Sequence, residues 1–451
     1  MHIDHWMTFS TFAEQRHFVY PSVHTYDGVI INANMVAHAP AGLAGFLVER
    51  TQGLKYIIDP LTHAFQHDPS AISAKGDSAK PKSSIQKLAE AYGDPVVSRV
   101  GVRPILPNHF EGQVLQGFVE RCLAFQRNVL TQAMAQSDAA KYLDPEEVAP
   151  PPYALVAPYF YMTEVTLARW LPLCRRAAQH ARQIEKDLKV FAALVVSQGV
   201  VLRKDLIEQI TEAFHDLELD GFLLWVDDLD ENGAGSSELM GLLHLAIGLR
   251  DGGRREVVNL HGGYFSVLAA GNLGESAMSG VAHGPEFGEY RAVVPVGGGI
   301  PIARYYIPKL HARMRYQDAL EIFGKTGWLL DAGTFHRNVC DCPECLRTIA
   351  GNPGNFTQFG EGTPHVVRRG RGFTRINFPT AAAKLRCLQH YLERKQIEYQ
   401  FAATVTRDQL LKHPQLGLRC DVSAYEQEAS LDVTSHLELW ASVFEPSPGS
   451  R

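Results

Sequence analysis

Three cysteines stand close together in the segment CDCPEC: Cys340, Cys342 and Cys345. The spacing C-x-C-x2-C lets three thiolates converge on one tetrahedral metal ion, which needs a fourth ligand from elsewhere in the chain. A redox pair is the less attractive interpretation, because no thioredoxin-like context surrounds the segment. Unrelated free thiols are the other alternative.

A second group of residues with chemical potential follows short apolar segments, at the points where strands would end. Such positions share one mouth of a parallel barrel, where polar-substrate enzymes place their catalytic groups. Taken singly, each is equally well explained as the cap of a neighbouring helix. The group comprises Asp59, Glu164, Gln198, Asp227, Asp228, His261, Gly262, Gly263, His283 and Glu286.

The elements that position these residues are predicted from an alternation of apolar and amphipathic segments. Strand-like segments include LKYIIDP, YALVAPYFYM, VFAALVVSQG and DGFLLWVDD, and helical patterns such as RKDLIEQITEAFHDLEL separate them. Apolar strands separated by helices indicate a parallel sheet that is buried on both faces. About seven or eight such units predict an α/β fold, a (β/α)8 TIM barrel with a zinc-binding extension near the C-terminus.

Composition narrows the class of protein. The 451 residues carry a formal net charge of -6, with 45% hydrophobic residues, and so show no global basic footprint. Neither a secretory leader nor an apolar run of membrane-spanning length is evident, so we expect a cytoplasmic protein with no membrane association. Seven cysteines in a reducing compartment make structural disulfides an unfavourable explanation of the cluster.

The order of these segments predicts three regions. Residues 1–335 form the catalytic barrel, with a helical insertion around 80–150. Residues 336–400 form the zinc-binding subdomain together with the final barrel helix. Residues 401–451 form a tail that packs on the barrel.

The run VCDCPEC resembles the zinc-binding CDCxxC element of the tRNA-guanine transglycosylases, which follows a barrel and is completed by a histidine. In this chain LQHYLERKQ is similar to the family's histidine-bearing helix, so the resemblance implies His390 as the fourth ligand. A longer gap before that histidine leaves His365 and Cys387 as rivals. Four protein ligands leave no open position, so this Zn²⁺ would be structural.

The resemblance continues upstream in matching order. YIIDPLTHAFQ is similar to the family's DSGGFQ segment, which implies that Asp59 is a general acid or base. Gln198 matches a base-recognising glutamine. The segments EVVNLHGG and SGVAHGPEFGE, with Gly262, Gly263 and His283, stand where the family has its next strand and then the strand that carries the nucleophilic aspartate.

One departure concerns the nucleophile. The family's FDCVxPTR segment corresponds to HGPEFGEYR, which contains no aspartate. The nucleophile is then Glu286 or Glu289, or has moved to Asp227 or Asp228 on a neighbouring strand, or the activity is lost. We favour Asp227 because a carboxylate there reaches the same mouth.

The reaction implied by the resemblance makes the protein a glycosyltransferase that exchanges guanine in a polynucleotide for a 7-deazaguanine, such as 7-cyano-7-deazaguanine. Exchange at C1′ with retention needs a carboxylate nucleophile and an acid/base carboxylate. The base must leave the stack, and aromatic residues such as Tyr159, Tyr161, Trp225 and Tyr264 are candidates to sandwich it. Their core-packing role is the alternative.

The polynucleotide partner is expected to contact the basic run RRGRGFTR through Arg368, Arg369 and Arg371. A solvated loop is the alternative interpretation of that run. Since the chain departs strongly from the tRNA-specific pattern, DNA is favoured over tRNA, as in the divergent DNA-modifying (DpdA-like) branch of the family. A homodimer or helper proteins stay open.

Two further hypotheses belong to other classes. The chain is alternatively a catalytically silent, nucleic-acid-binding subunit that keeps the barrel and the zinc. It is alternatively an unrelated TIM-barrel hydrolase that acts on a small sugar or phosphate.

Overall fold

The strands and helices are those of a computed structural model, which describes residues 2–10, 25–50, 54–74, 77–135, 150–271, 276–284, 288–294, 302–369, 372–429 and 432–445. The strands are β1 Asp4–Phe9, β2 Gly28–Asn32, β3 Lys55–Asp59, β4 Ser73–Ala74, β5 Asp77–Pro81, β6 Ala154–Val156, β7 Tyr161–Met162, β8 Lys189–Val196, β9 Gly221–Val226, β10 Glu256–Asn259, β11 Gly280–His283, β12 Arg304–Ile307, β13 Ala312–Arg315, β14 Gly362–Arg369 and β15 Gly372–Pro379.

The helices are α1 Ala33–His38, α2 Pro40–Arg50, α3 Pro69–Ile72, α4 Ser83–Tyr92, α5 Val114–Ala135, α6 Leu167–Ile184, α7 Gln198–Val201, α8 Lys204–His215, α9 Ser236–Arg250, α10 Tyr264–Ala270, α11 Tyr316–Lys325, α12 Ala332–Asn338, α13 Pro343–Ile349, α14 Ala381–Thr404, α15 Arg407–Lys412, α16 Ser423–Glu428 and α17 Ser435–Phe444. In the described part of the chain, no helix is both long enough and apolar enough to span a membrane.

Eight parallel strands close into a barrel in the order β1-β2-β3-β6-β8-β9-β10-β11, and β11 pairs with β1 again. The first and last strands meet in register, with Asp4 opposite Gly280 and Met7 opposite His283. The short strand β7 adds to the barrel beside β8. The predicted (β/α)8 barrel is therefore confirmed.

Side chains alternate between two cores. Those that point inward form a cluster inside the barrel that includes Ile57 and Trp225, while those that point outward pack against the surrounding helices. Because side chains repeat with a period of two along a strand, Asp59 shares the inward parity of Ile57, and Asp227 that of Trp225. Both aspartates follow the last apolar residue of their strand, so the sequence places them at one mouth of the barrel.

The rest of the chain elaborates this barrel. Helices α4 and α5 lie between β3 and β6, where a helical insertion was expected. After β11 come the hairpin β12–β13, the cysteine segment on α12 and α13, and the hairpin β14–β15. In the tail, Trp440 of α17 donates from Nε1 to the carbonyl of Glu231 and contacts Phe265 of α10.

Helix α14 docks on the barrel through buried charge. Lys395 is only 1% exposed, and its Nζ lies 2.6 Å from Glu289 and 3.0 Å from Glu398. Burial raises the pKa of Glu398, but Lys395 and hydrogen bonds from His311 and Tyr306 outweigh it and hold that pKa at about 2. The pair is therefore ionised at neutral pH.

Replacing Lys395 is expected to weaken the fold. The Lys395→Ala variant leaves two carboxylates buried without their cation, which costs about 3 to 5 kcal/mol for a broken buried ion pair. The free energy of unfolding, measured by urea titration, should fall by that amount. Lys412→Ala removes an exposed lysine on α15 and should leave the unfolding midpoint unchanged. A cost below about 1 kcal/mol for Lys395→Ala would contradict a stabilising ion cluster.

Candidate active site and metal centre

Asp59 is positioned by the way strand β3 ends. Pro60 follows it and cannot donate to the sheet, so the strand stops there. Leu61 then adopts a left-handed conformation (φ 52°), and its backbone N–H donates to Asp59 Oδ1 at 3.0 Å. Such a conformation is uncommon for leucine, and it orients the carboxyl group toward the barrel mouth.

The loop after β3 is held against the loop after β6. Thr62 Oγ1 donates to the carbonyl of Tyr159 at 2.5 Å and accepts from its N–H at 2.8 Å. Gln66 exchanges the same pair of bonds with Tyr161. Two neighbouring strand ends are thereby fixed relative to each other, and the polar groups they carry are held in place.

Two hydrogen-bonded side chains lead to Asp59. The Tyr159 hydroxyl donates to Asp59 Oδ1 at 2.6 Å, and His63 Nδ1 lies 3.0 Å from the same hydroxyl oxygen. Because the hydroxyl proton points to Asp59, His63 donates from Nδ1 and its Nε2 is the unprotonated nitrogen. Burial, together with His67 and Arg291, places the pKa of His63 well below its usual range, so the ring is neutral.

Asp59 itself favours the protonated state more than an exposed aspartate does. Burial raises its pKa, while the hydrogen bonds from Tyr159 and Leu61 and the charge of Arg291 oppose that rise. A carboxyl group with a raised pKa is suited to give and take protons near neutral pH.

A cavity of about 270 Å³ opens in front of Asp59. Apolar side chains from the barrel and its loops form much of the wall, among them Ile30, Leu61, Trp225, Leu260 and Val293. Polar groups converge on it as well: Thr8, Ser10, Asn32, Asn34, Asp59, His63, His67, Lys82, His261 and Arg291. A concave site whose wall combines apolar side chains with converging polar groups is typical of small-ligand binding.

Two more histidines of this wall are kept uncharged. Burial lowers the pKa of His67, with a partial opposing effect from Asp227, and burial lowers the pKa of His261 strongly. His67 Nε2 is buried and has no hydrogen-bond partner within the described residues. An unsatisfied buried nitrogen at a cavity wall is available to a ligand.

Asp227, the favoured nucleophile, does not line this cavity, although it is hydrogen-bonded to Val293, which does. Its Oδ1 accepts from the backbone N–H of Val293 at 2.7 Å, and its Oδ2 accepts from the Tyr161 hydroxyl at 2.7 Å. The carbonyl of Arg291 accepts from Trp225 Nε1 and from the Asp228 N–H, both at 3.0 Å. Strand β9 therefore holds the segment that follows β11 across the mouth.

The other residues predicted for catalysis or substrate binding either lie away from the cavity wall or fall outside the described residues. Gln198 donates to the carbonyls of Asp227 and Asp228, which is a loop contact. Asp228 is exposed. Glu286 and Arg371 lie outside the described residues, as does the side chain of Arg369, while Arg368 is exposed on β14.

Gly262 and Gly263 serve close packing rather than the cavity wall. A Cβ at Gly262 would lie 2.7 Å from Val281 of β11, and one at Gly263 would lie 2.9 Å from Glu231. His283 is buried behind the mouth, where its Nε2 lies 2.7 Å from His5 Nε2. None of these three lines the cavity in front of Asp59.

The three cysteines form a second site, beside the hairpin β12–β13. Their sulfurs lie 3.6, 3.2 and 3.3 Å from His390 Nδ1 for Cys340, Cys342 and Cys345 respectively, and all four residues are buried. A tetrahedral ion held by thiolate and imidazole places S and N about 3.6 Å apart. The four ligand atoms therefore fit one metal ion.

The orientation of His390 supports this fit. Its Nε2 donates to the carbonyl of Tyr306 at 2.8 Å, which leaves Nδ1 unprotonated and directed at the sulfurs. The two rival ligands are elsewhere: His365 stacks on Phe378 in the hairpin β14–β15, and the Cys387 thiol donates to the carbonyl of Phe359. The cluster can hold a metal ion through Cys340, Cys342, Cys345 and His390.

Comparison with known proteins adds little. No protein-family model matches this chain, and no curated protein matches it. Among solved structures, the intracellular xylanase TsXylA from Thermoanaerobacterium saccharolyticum, in complex with xylotriose, is similar over 65% of this chain and 86% of its own, with 8% identity and a TM-score of 0.32. A likeness at that level carries no argument about function.

The metal content of the purified protein tests the second site. Inductively coupled plasma mass spectrometry should find one metal ion per chain, and Cys345→Ser should lose it, since a hydroxyl is a poor substitute for a thiolate ligand. Cys387→Ser is the matched control and should retain the ion. Full metal occupancy in Cys345→Ser, or loss in Cys387→Ser, would refute this ligand set.

The raised pKa of Asp59 predicts a pH-dependent stability difference. Folded Asp59 binds its proton more tightly than the unfolded residue, so the wild type loses stability as pH rises from about 4, the unfolded pKa, through the folded pKa. An asparagine side chain at this position would keep both hydrogen bonds to Oδ1 and does not titrate. The melting temperature of Asp59→Asn minus that of wild type should therefore increase between pH 4 and pH 8.

The matched control has the opposite sign. Hydrogen bonds from Ser70 lower the pKa of the exposed Asp68, so its charged form stabilises the fold above pH 4 and that contribution is lost as pH falls. The corresponding difference for Asp68→Asn should decrease as pH rises. A flat or falling difference for Asp59→Asn would show that folding does not raise the pKa of Asp59.

Proposed function

We propose that this protein is a base-exchange transglycosylase that replaces guanine in a polynucleotide with a 7-deazaguanine such as 7-cyano-7-deazaguanine. The observation that carries the proposal is Asp59, a buried carboxyl group with a raised pKa at the end of a barrel strand, facing a cavity of about 270 Å³. That volume is near the lower end for small-molecule sites, which suits one flipped-out base. The metal cluster that follows the barrel agrees with the same family resemblance.

Asp59 has the properties of the acid/base group. When the glycosidic bond breaks, protonated Asp59 gives its proton to the departing guanine, and the carboxylate then accepts the proton that the entering base must lose. Tyr159 and neutral His63 hold the carboxyl group and link it to the cavity. The raised pKa speaks against Asp59 as the nucleophile, because a nucleophilic carboxylate must be ionised.

Asp227 is our candidate for that nucleophile. It attacks C1′ as guanine leaves, and the entering base later displaces it from the covalent glycosyl-enzyme. It has inward parity on β9 and is hydrogen-bonded by Tyr161 and Val293, which are donors suited to an anion. Glu289 is the weaker candidate, because its carboxylate is neutralised by an ion pair with the buried Lys395 of α14, whereas Asp227 accepts only from uncharged donors.

The ion at the cysteine cluster is proposed to be Zn²⁺ in a structural role. Three thiolates and one imidazole are ligands that zinc prefers, and four protein ligands leave no position for a water molecule. The residues that hold it would be Cys340, Cys342, Cys345 and His390. Its contribution would be to fix the segment after the barrel and not to take part in the exchange.

A second candidate function is a catalytically silent nucleic-acid-binding subunit. The observation in its favour is that Asp59 is the single carboxylate among the described residues of the cavity wall. A glycoside hydrolase needs the same two carboxylates as the exchange reaction, so this observation does not separate those two functions. The cysteine cluster is buried beside α14, and the other described group that could hold a metal ion, His2, Asp4 and Asp27, lies at the amino ends of β1 and β2. A metal-dependent hydrolase would need a metal at the mouth formed by the carboxyl ends of the strands.

Guanine release is the direct test of the proposal. Wild-type protein is incubated with 7-cyano-7-deazaguanine and either DNA or tRNA that carries labelled guanine, and released label is counted. We expect release from DNA in preference to tRNA, with a loss of at least about 10²-fold in Asp59→Asn and in Asp227→Asn. Asp408→Asn, an exposed substitution on α15, is the control and should release guanine at the wild-type rate.

The outcomes separate the hypotheses. Trapping the denatured protein on a labelled polynucleotide in wild type but not in Asp227→Asn would support Asp227 as the nucleophile. Release that survives in Asp227→Asn would assign that role to another carboxylate. No release by a folded, metal-loaded protein would favour the silent subunit.

A further inference from the structure

The hairpin β14–β15 extends from the metal-binding segment as a two-stranded ribbon. Its strands pair in antiparallel register over eight residue pairs, from Gly362 opposite Pro379 to Arg369 opposite Gly372. Eight residues span about 26 Å of strand. Most of its described side chains are exposed, on both faces of the ribbon. An isolated two-stranded ribbon is marginally stable in water. The length and exposure of the ribbon β14–β15 are therefore consistent with a surface that a partner covers.

The charge of the ribbon is of one sign. Residues 362–379 contain four arginines and no aspartate, glutamate or lysine, in a chain whose formal net charge is -6. The side chains of Arg368 and Arg375 make no ion pair or hydrogen bond with any other described residue. By contrast, Arg315 of the neighbouring hairpin is paired with Asp318, and Arg313 lies over the ring of Tyr391. The free positive charge of this region is therefore concentrated on the ribbon and complements a polyanion.

One face of the ribbon combines this charge with apolar groups. The register places Arg368 opposite Phe373 and Val366 opposite Arg375, and cross-strand partners point to the same face. Phe373 is 76% exposed and Val366 is 68% exposed. We call the face formed by Val366, Arg368, Phe373 and Arg375 the arginine face. It presents two cations on opposite strands, each beside an exposed apolar side chain.

We infer that the arginine face is a binding surface for duplex DNA, and that the ribbon enters its major groove. The major groove of B-form DNA is wide enough for a two-stranded β-ribbon, and arginine there contacts phosphates and guanine edges. The major groove of A-form RNA is deep and narrow, so side chains cannot read it. The exposed apolar groups fit thymine methyl groups or the sugar edge, which a phosphate-only site would not use.

The spacing of the arginines agrees with this partner. Arg368 and Arg375 belong to adjacent rungs of the same face, two residues apart along the strands, which is about 6.8 Å. That is the rise of about two base-pair steps in B-form DNA. The inference deepens the proposed function, on which it rests, by naming duplex DNA as the polymer that the protein engages before a base leaves the stack.

Binding of a 20-base-pair DNA duplex, measured by fluorescence anisotropy at several salt concentrations, tests the inference apart from catalysis. The double variant Arg368→Ala/Arg375→Ala should bind roughly 10- to 100-fold more weakly at 0.1 M salt, and its log–log salt slope should be shallower by about 2. Phe373→Ser should weaken binding and leave the slope unchanged. Melting temperature and metal content check that both variants are folded.

A charge-matched control separates the ribbon from net charge. Lys204→Ala/Lys412→Ala removes two exposed cations from α8 and α15 and should bind DNA as wild type does. Equal weakening by both double variants, or none in the ribbon variant, would overturn the inference. A duplex RNA of the same sequence should bind more weakly than DNA. Tighter binding to RNA, lost in the ribbon variant, would overturn the choice of DNA.

The ribbon and the exchange reaction can fail separately. Ribbon-dependent DNA binding without guanine release would leave the inference standing and remove the proposed function. Guanine release at wild-type rates by the double ribbon variant, with unchanged DNA affinity, would remove the inference and leave the proposed function.

Discussion

Helix α14 imposes the constraint on which the second half of the structure depends. Its first half brings His390 to the cysteines, and its later turns bring Lys395 and Tyr399 against the barrel. Burying a lysine is unfavourable unless its charge is paired, and here the carboxylates of Glu289 and Glu398 provide the partners. Because Glu289 belongs to the segment that crosses the barrel mouth, a single buried cation ties the metal cluster to the candidate active site.

The titratable side chains at the barrel mouth, unlike the ionised Lys395 cluster, are mostly uncharged. Around Asp59, burial keeps His63, His67 and His261 uncharged, so the wall offers neutral hydrogen-bonding groups. Arg291 and Lys82 are the cationic side chains in the described wall. Burial raises the cost of ionising Asp59, and the charge of Arg291 offsets part of that cost. Desolvation therefore dominates the pKa of this carboxyl group.

Much of this arrangement could be predicted from the sequence, because it depends on local patterns. Alternating apolar and amphipathic segments define the closed barrel, and strand-end parity predicts that Asp59 faces the mouth. The cysteine spacing indicates the metal cluster. The choice of His390 over His365 and Cys387 needed the family resemblance, since the intervening hairpin gives no spacing rule.

The remaining features of the site could not be predicted, because they depend on contacts between segments that are distant in the sequence. Nothing local shows that Val293 and Tyr161 bind both oxygens of Asp227, or that His283 pairs with His5. Nor does the sequence show that Gly262 lies against Val281 and Gly263 against Glu231, where a Cβ would come within 3 Å of its neighbour. His63 and His67 were overlooked although they follow Asp59 by four and eight residues, a spacing that could have indicated a polar wall.

The closure of the barrel has a consequence during synthesis on the ribosome. Strand β1 ends at Phe9, and its partner β11 begins at Gly280, so one edge of β1 has no partner until that distant strand has been translated. At about 5–20 residues per second the wait is roughly 15 to 55 s. During that time the apolar segments of the nascent sheet have one unpaired edge, which is the kind of surface that aggregates. A chaperone that shields this edge until β11 emerges would act on the chain when it most needs protection.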